Sequence, residues 1–191
     1  MSLWGDLTPP YKTIVADPPW EYQTKGGITT RTSHNTACAE GHYATMTNNE
    51  IAALPVADIA DQNAHLYMWV TNPRLYGDRR RNELSPDEIM TAWGFRYITL
   101  LTWIKKPGAL GMGFYFRGET EHVLFGVRGK LGIPTDKREV NWFKAGKKGH
   151  SVKPGAFGDL VERVSPGPYV ELFARQPRLG WDSWGLGHET A

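Results

Sequence analysis

The chain has 191 residues, so we predict a single domain over residues 1–191, large enough to bury a substantial core. Its 22 lysines and arginines against 20 aspartates and glutamates give a formal net charge of +2. The chain as a whole is therefore not a polycation, and any nucleic-acid surface must be a local basic patch. The single cysteine, Cys38, excludes an internal disulfide. No secretory signal and no apolar run of about 18 residues is present, which favours a cytoplasmic protein without a membrane anchor.

A short apolar segment, residues 14–16, is followed directly by Asp17-Pro18-Pro19-Trp20. Its apolar and β-branched residues predict a buried strand. A proline ring fixes its own φ and disfavours the α region for the residue before it, so the strand should stop here with Asp17 and Pro18 extended. A carboxylate, a carbonyl and an aromatic ring then lie together at the carboxyl end of a strand, which is where open α/β sheets bind ligands.

These groups suit methylation of an amine on an aromatic base. The lone pair of such an amine is delocalised into the ring, and acceptors that draw on its hydrogens free it for attack. Asp17 and the Pro18 carbonyl are acceptors, and Trp20 can stack on the base. A surface turn with a core tryptophan fits the same tetrapeptide, but its place directly after a buried strand favours a site. The catalytic candidates are Asp17, Pro18, Pro19 and Trp20.

The next segments alternate between polar and apolar character. Residues 23–41 show no hydrophobic period, and we interpret them as a mobile substrate loop rather than as simple disorder. Residues 47–50 form a capping box that predicts a helix to about Leu54. Residues 64–71 are almost uniformly apolar or aromatic and predict a second buried strand, whose end at Asn72 should lie beside the end of the first.

The middle of the chain predicts a helix and two further strands. Three consecutive arginines, residues 79–81, fit a solvated surface turn better than a phosphate contact. Residues 85–93 begin with an N-cap serine and a proline at the first helical position, which predicts a helix. Residues 95–104 and 123–127 are predicted strands. The Glu and His within residues 119–122 fit no zinc spacing, so we expect a buried polar network that supports the sheet there, and no metal.

The last third of the chain is basic and then apolar. Residues 130–153 are irregular in pattern, and Trp142 and Phe143 lie among lysines, an interleaving typical of surfaces that bind single-stranded or flipped bases; a merely solvated face is the alternative. Pro154 begins a predicted helix, and residues 169–174 a predicted last long strand. The helix carries a core-facing stripe at helical spacing, formed by Phe157, Leu160, Val161 and Val164.

A series of motifs continues along the chain in a fixed order: HYxxM at residues 42–46, HLYMWVTN at 65–72, WGF at 93–95, WIK at 103–105, YFR at 115–117, HSxKP at 150–154, ELFAR at 171–175 and WDSWG at 181–185. With the DPPW tetrapeptide, this series resembles the DPPW-type adenine N6-methyltransferases. That family includes the catalytic subunit of the messenger-RNA adenosine methyltransferase and many bacterial and phage DNA enzymes. The resemblance implies an α/β, Rossmann-like class I methyltransferase fold in permuted order, with the catalytic DPPW strand first and the cofactor-binding strand last.

The resemblance also implies S-adenosyl-L-methionine as the cofactor. This molecule needs a partner for its carboxylate, acceptors for its ammonium and hydrogen bonds for its ribose and adenine. Lys153 can pair with the carboxylate, Asp17 can accept from the ammonium, and Arg175 with Gln176 can reach the ribose. The resemblance implies these roles for Asp17, Lys153 and Arg175. The family usually shows Gly-Asn after its last tryptophan. This chain departs from that pattern, so the adenine and ribose contacts fall to His188 or to the backbone.

Candidate residues for the methyl acceptor lie in several of the same motifs. The resemblance implies that the glycine- and aromatic-rich residues 109–117 line the acceptor pocket. The full set of substrate-binding candidates is Tyr22, Asn72, Lys105, Tyr115 and Arg117.

The predicted function is transfer of a methyl group from S-adenosyl-L-methionine to the N6 amine of adenine. DNA is the first predicted substrate because the chain is short and most resembles bacterial and phage members, and RNA is the second. A duplex substrate would need its adenine flipped out. A non-catalytic nucleic-acid-binding subunit with the same fold is the competing hypothesis, and a small-molecule acceptor is a third. A homodimer or an accessory subunit is a possible partner, since the RNA enzymes of this family rely on one.

Overall fold

The structure is a computed structural model that describes residues 3–21, 45–77, 82–105, 115–146 and 152–185. The strands within these ranges are β1 (Tyr11–Ala16), β2 (Ala60–Val70), β3 (Arg96–Lys105), β4 (Thr120–Arg128), β5 (Trp142–Ala145), β6 (Tyr169–Leu172) and β7 (Trp181–Trp184). The helices are α1 (Asn48–Ala52), α2 (Pro86–Ala92) and α3 (Gly155–Val164), and short 3₁₀ turns lie at Val56–Asp58, Asn72–Arg74 and Thr135–Lys137.

The described strands form one sheet in the order β5-β3-β4-β2-β1-β6-β7. β1 pairs in parallel with β2 and β6, β6 with β7, and β3 with β5, whereas β4 is antiparallel to β2 and β3. The carboxyl ends of six strands and the amino end of β4 therefore meet at one edge of the sheet, called here the carboxyl edge. The chain leaves β1 toward β2 and returns on its other side at β6, a reversal of strand order at which α/β sheets bind ligands. The predicted α/β, Rossmann-like fold class is confirmed.

Two apolar layers cover the faces of the sheet. Successive side chains of a strand point to opposite faces, so Ile14 and Ala16 of β1 enter one apolar cluster and Val15 enters the other. α1 and α2 pack on the first face and α3 on the second. The predicted core stripe of α3 is confirmed, since its four members are all buried: Phe157, Leu160, Val161 and Val164.

Two of the three predicted helix starts, those of α1 and α2, are confirmed by capping boxes. The Thr47 backbone N–H donates to the Glu50 carboxylate at 2.8 Å, and the Ser85 backbone N–H donates to Glu88 at 2.7 Å. α1 ends at Ala52, two residues earlier than predicted. α2 ends before Gly94, whose φ of +84° lies in the left-handed region that glycine adopts at low cost.

The sequence misses two short strands. Part of the segment predicted to be irregular and basic is strand β5, and Phe143 in it packs against Trp69 and Phe157 in the core. Trp142, in contrast, is 46% exposed. β7 pairs with β6, so the predicted cofactor-binding strand is followed by one more strand. Four residues carry too little periodicity to be recognised, and pairing with a neighbouring strand decides their conformation.

All seven described strands belong to one sheet, which supports the single domain that we propose for residues 1–191. Among the described residues, no helix has both the length and the apolar character needed to cross a bilayer. The predicted substrate loop, residues 23–41, lies outside the described residues, as do the arginines at 79–81.

Candidate active site

A cavity of about 760 Å³ opens at the carboxyl edge, next to the ends of β1 and β6 and the start of α3. Its volume is typical of sites for ligands of cofactor size. Four of the predicted cofactor residues line it, namely Asp17, Lys153, Arg175 and Gln176, whereas His188 lies outside the described residues. Apolar walls come from side chains that include Trp69 of β2 and Phe157 of α3.

Two lysines and two carboxylates form a continuous charge network beside this cavity. The Lys153 ammonium lies 3.1 Å from the Asp17 carboxylate and 3.1 Å from the Glu121 carboxylate. The other oxygen of Glu121 lies 2.8 Å from the Lys105 ammonium. These residues come from the ends of β1, β3 and β4 and from the segment before α3, and they meet because all of these ends share the carboxyl edge. Their formal charges sum to zero.

The network favours the ionised forms of Lys153 and Glu121. Burial alone would lower the pKa of Lys153, but the Asp17 and Glu121 carboxylates outweigh burial and raise it. Burial would raise the pKa of Glu121, but Lys153 and Lys105 bring it below its ordinary value. The Lys153 ammonium also lies 4.8 Å from the centre of the Trp69 ring, a cation–π distance. Lys153 is therefore a fixed cation at the inner end of the cavity.

Glu171 is a cavity residue that sequence reasoning did not assign to the site. It lies on β6 opposite Val15, on the side of the sheet that α3 covers. Burial, and then the nearby Asp17 carboxylate, raise the pKa of Glu171 to about 7. The signal in the sequence is an acidic residue between two apolar residues of a predicted strand, a position where burial is expected.

Trp20 does not present its ring to the cavity. The indole is 4% exposed, packs in the core, and donates from Nε1 to the Trp69 carbonyl at 3.0 Å. Its backbone N–H donates to the Pro18 carbonyl at 2.9 Å, and the Met46 N–H donates to the Pro19 carbonyl at 2.9 Å. These bonds fasten the DPPW turn to β2 and to the segment before α1. The burial does not support the predicted stacking on a base and supports a role in positioning the turn.

The four predicted substrate residues that the structure describes are absent from the lining of the cavity. Asn72 is tied to the start of β4, because its amide oxygen accepts from His122 at 2.6 Å and its amide nitrogen donates to the Thr120 hydroxyl at 3.2 Å. Lys105 lies at the same edge, paired with Glu121 as described above. Tyr115 is 96% exposed and Arg117 is exposed, both in the segment before β4, and Tyr22 lies outside the described residues.

The polar network predicted around residues 119–122 is confirmed. The His122 ring lies between the Thr102 hydroxyl, 3.1 Å from Nδ1, and the Asn72 amide oxygen at Nε2. Burial lowers the pKa of His122 and favours its neutral form. In the part of the chain that the structure describes, no three side chains of the metal-ligating types cluster together.

A family comparison accounts for the whole set of motifs. The MT-A70 family profile matches residues 11–187, which is nearly the entire chain. The chain belongs to the MT-A70 family. The match begins at β1 and therefore includes the DPPW turn, the charge network and the walls of the cavity. The predicted family is confirmed.

Relatives of this MT-A70 protein differ in how much of their length it spans. The type II methyltransferase M.MunI of Mycoplasma sp is 33% identical over 189 residues, which cover 92% of this chain and 77% of that protein. The N(6)-adenine-specific methyltransferase METTL4 of Homo sapiens is 26% identical, over 92% of this chain but 37% of that protein. The N(6)-adenosine-methyltransferase catalytic subunit METTL3 of Homo sapiens is 26% identical, over 86% of this chain and 26% of that protein. The names support the predicted class of enzyme, an adenine N6-methyltransferase.

Proposed function

We propose that this MT-A70 protein transfers a methyl group from S-adenosyl-L-methionine to the N6 amine of adenine in DNA. The observation that carries the proposal is the position of Asp17. Its carboxylate follows β1 at the carboxyl edge and lines the cavity, Lys153 lies 3.1 Å away, and Pro18, which offers a carbonyl acceptor, is the next residue of the chain. An acceptor pair next to a ligand-sized cavity is what an aromatic amine needs in order to react as a nucleophile.

The chemistry of the cavity fits this methyl donor, which carries a carboxylate, an ammonium and a sulfonium. Lys153 offers a cation for the carboxylate, Asp17 offers negative charge for the cationic groups, and Glu171 offers a further acceptor oxygen. Arg175 and Gln176, which follow β6, also line the cavity and would bond to the ribose. When bound, S-adenosyl-L-methionine supplies an electrophilic methyl group.

The residues of the DPPW turn would orient the acceptor. Asp17 and the Pro18 carbonyl each accept a hydrogen bond from the amine, which polarises its N–H bonds and makes the nitrogen lone pair more available for attack. The nitrogen releases one of these protons as it becomes methylated. The Pro18 oxygen already accepts from the Trp20 N–H, and its second lone pair serves the substrate. Because Trp20 and Met46 fasten the turn, both acceptors are held in place before substrate arrives, and most of the catalysis is positioning.

DNA is the first substrate in this proposal because of how the chain compares with its relatives. It spans 77% of M.MunI, which is named as a type II methyltransferase, but only 26% of METTL3, whose name specifies adenosine. RNA is the second candidate. Dependence on a second copy or on an accessory subunit is part of the same test.

The first test is mass spectrometry of nucleosides after the protein and S-adenosyl-L-methionine are incubated with duplex DNA, single-stranded DNA or RNA. We expect N6-methyladenine in a DNA pool. Asp17→Asn keeps the size of the side chain but removes the carboxylate, and we expect a loss of rate of at least about a hundredfold, as for other groups that act at the reacting atoms. Asp136→Asn, in an exposed 3₁₀ turn, is the matched control and should keep full activity.

Product in the RNA pool alone would replace DNA by RNA as the substrate. Cofactor binding without product in any pool would indicate a missing partner or a small-molecule acceptor. Failure to bind the cofactor at all would support the non-catalytic subunit. Full activity of Asp17→Asn would remove Asp17 from the mechanism.

A further inference from the structure

The turn between β6 and β7, residues 175–180, lines the cavity on the side toward β7, which is separated from β1 by β6 in the sheet. Arg175, Gln176 and Leu179 all line the cavity, and Leu179 is 100% exposed at the tip of the turn. Gly180 follows with a φ of +79°, a left-handed conformation that glycine accepts. The side chains of a short turn beside a cavity can position a ligand only if the turn itself is fixed to the rest of the protein.

Arg178 attaches this turn to α3. Its guanidinium lies against both oxygens of Glu162, at 2.8 Å from Nε and 2.9 Å from Nη2, and against the Asp159 carboxylate at 2.6 Å. The planar, two-pronged contact with Glu162 is the strongest geometry that an arginine and a carboxylate can form. Glu162 also accepts from the Trp181 indole at 2.7 Å, so one carboxylate contacts Arg178 within the turn and Trp181 directly after it.

The backbone of α3 leaves space for this arginine. A Cβ atom at Gly158 would lie 2.6 Å from the Arg178 guanidinium carbon, closer than real side-chain contacts permit. Glycine is unfavourable in a helix interior, so its presence within α3 needs a local reason. The Arg178 guanidinium occupies the space next to Gly158, and its ion pairs with Asp159 and Glu162 hold it in that position.

Another ion pair on the same helix shows that Arg178 differs from an ordinary surface contact. Arg163 pairs with Glu139 at 2.9 Å, with side chains 55% and 39% exposed, and neither residue lines the cavity. The Arg178 side chain is 27% exposed and is itself part of the cavity lining. The Trp181 ring next to it stacks on Tyr169 at 4.9 Å between ring centres.

We infer that Arg178 is a positioning residue of the cofactor site, which holds the 175–180 turn on α3 so that Arg175, Gln176 and Leu179 form a fixed wall for the adenosine part of the methyl donor. Lys153 and Asp17 occupy the opposite end and suit the amino-acid part, which leaves this wall for the base and the ribose. The inference rests on the proposed function, because it assumes that the cavity binds S-adenosyl-L-methionine.

The test compares Arg178→Ala with Arg163→Ala, which removes an arginine that belongs to α3 and does not line the cavity. Calorimetry of S-adenosyl-L-methionine binding should show about a tenfold higher Kd for Arg178→Ala and an unchanged Kd for Arg163→Ala. At saturating cofactor the kcat of Arg178→Ala should stay close to that of the wild type, because the turn positions the cofactor and not the acceptor. Arg178→Lys should restore only part of the affinity, since an ammonium lacks the fork.

A second variant displaces the arginine without removing its charge. Gly158→Ala places a methyl group in the space that Arg178 fills, so it should raise the cofactor Kd in the same direction. Without cofactor, amide hydrogen exchange in peptides that cover the 175–180 turn should be faster in Arg178→Ala and Gly158→Ala than in the wild type and in Arg163→Ala.

Unchanged affinity and unchanged exchange in both variants would overturn the role of Arg178 while leaving the proposed function intact. A fall in kcat at saturating cofactor, with an unchanged Kd, would also overturn it. If the wild-type protein itself bound no S-adenosyl-L-methionine, the proposed function would fail first, and this inference would fail with it.

Discussion

The carboxyl group of Glu171 retains its proton at a pH at which exposed glutamates have lost theirs. Burial on β6 and the Asp17 carboxylate raise its pKa to about 7. Between about pH 4.5 and 7 the folded protein therefore holds a proton that the unfolded chain has released. The contribution of this group to stability is full below pH 4.5 and is lost as the pH rises through 7.

Replacing Glu171 by Gln should remove the loss of stability that accompanies a rise in pH through 7. The free energy of unfolding of Glu171→Gln, minus that of the wild type, should increase by about 1 to 3 kcal/mol between pH 5 and pH 8. A rise in pKa of this order corresponds to a free energy of that size. Urea denaturation at several pH values measures it. A difference between the two proteins that did not change with pH would contradict the raised pKa. Weaker cofactor binding in the same variant would show that the destabilising carboxyl is retained for function.

Neighbouring residues of the DPPW turn have unlike surroundings. Asp17 reaches the cavity and a charged network, while Trp20, three residues later, is buried and bonded to the β2 backbone. The tetrapeptide could be recognised in the sequence as a site, because a strand followed by two prolines must stop. The direction of the Trp20 ring could not be predicted from the sequence, because it depends on β2 and on Met46, which are distant along the chain.

At the scale of whole elements, a buried polar cluster connects β2 to the end of α3. The His65 ring accepts from the Ser165 hydroxyl at Nδ1 over 2.7 Å and donates from Nε2 to the Leu131 carbonyl at 3.1 Å. These roles follow because a carbonyl can only accept, and they require a neutral imidazole. The Tyr67 hydroxyl donates to the same serine at 2.7 Å, which completes the cluster. Burial lowers the pKa of His65, in agreement with a neutral ring.

This cluster predicts an acid-sensitive link between the two elements. Because the pKa of His65 is lower in the folded chain than in the unfolded chain, its contribution is present above pH 6.5 and is lost as the pH falls through the folded value. In His65→Gln this group no longer titrates, so only the wild type loses its contribution as the pH falls. The difference in free energy of unfolding between the wild type and the variant should therefore become smaller from pH 7.5 to pH 5. Chemical denaturation at both pH values checks this, and a gap that stayed constant would contradict it.

At the scale of the whole molecule, the net charge of +2 gives the protein very little overall electrostatic attraction for a nucleic acid. Binding to a nucleic acid must therefore come from local contacts between phosphates and basic side chains, which release counterions. We expect the Kd for duplex DNA, measured by fluorescence anisotropy, to rise at least about tenfold between 50 and 200 mM salt. The affinity for S-adenosyl-L-methionine in the same buffers is the control. A DNA affinity insensitive to salt would argue against nucleic acid as the substrate class.

Much of the fold could be predicted because its determinants are local. The capping boxes at Thr47 and Ser85, the apolar stripe of α3 and the buried β1 and β2 each depend on residue types within a few positions. The α/β fold class and the family followed from the order of motifs. β5 and β7 could not be predicted, because four-residue strands at the edges of a sheet take their conformation from the strand beside them.

The sequence by itself determined the family, the DPPW turn and the candidates Asp17, Lys153, Arg175 and Gln176 for the site, since each belongs to a short motif. Only the tertiary structure decided how these candidates are charged and held. Glu121 pairs with Lys153, 32 positions away in the chain, and with Lys105, 16 positions away. Glu162 pairs with Arg178, which is also 16 positions away. The physical reason is that the site lies where strands from distant parts of the sequence end at one edge, so electrostatic pairing and burial there are properties of the assembled sheet.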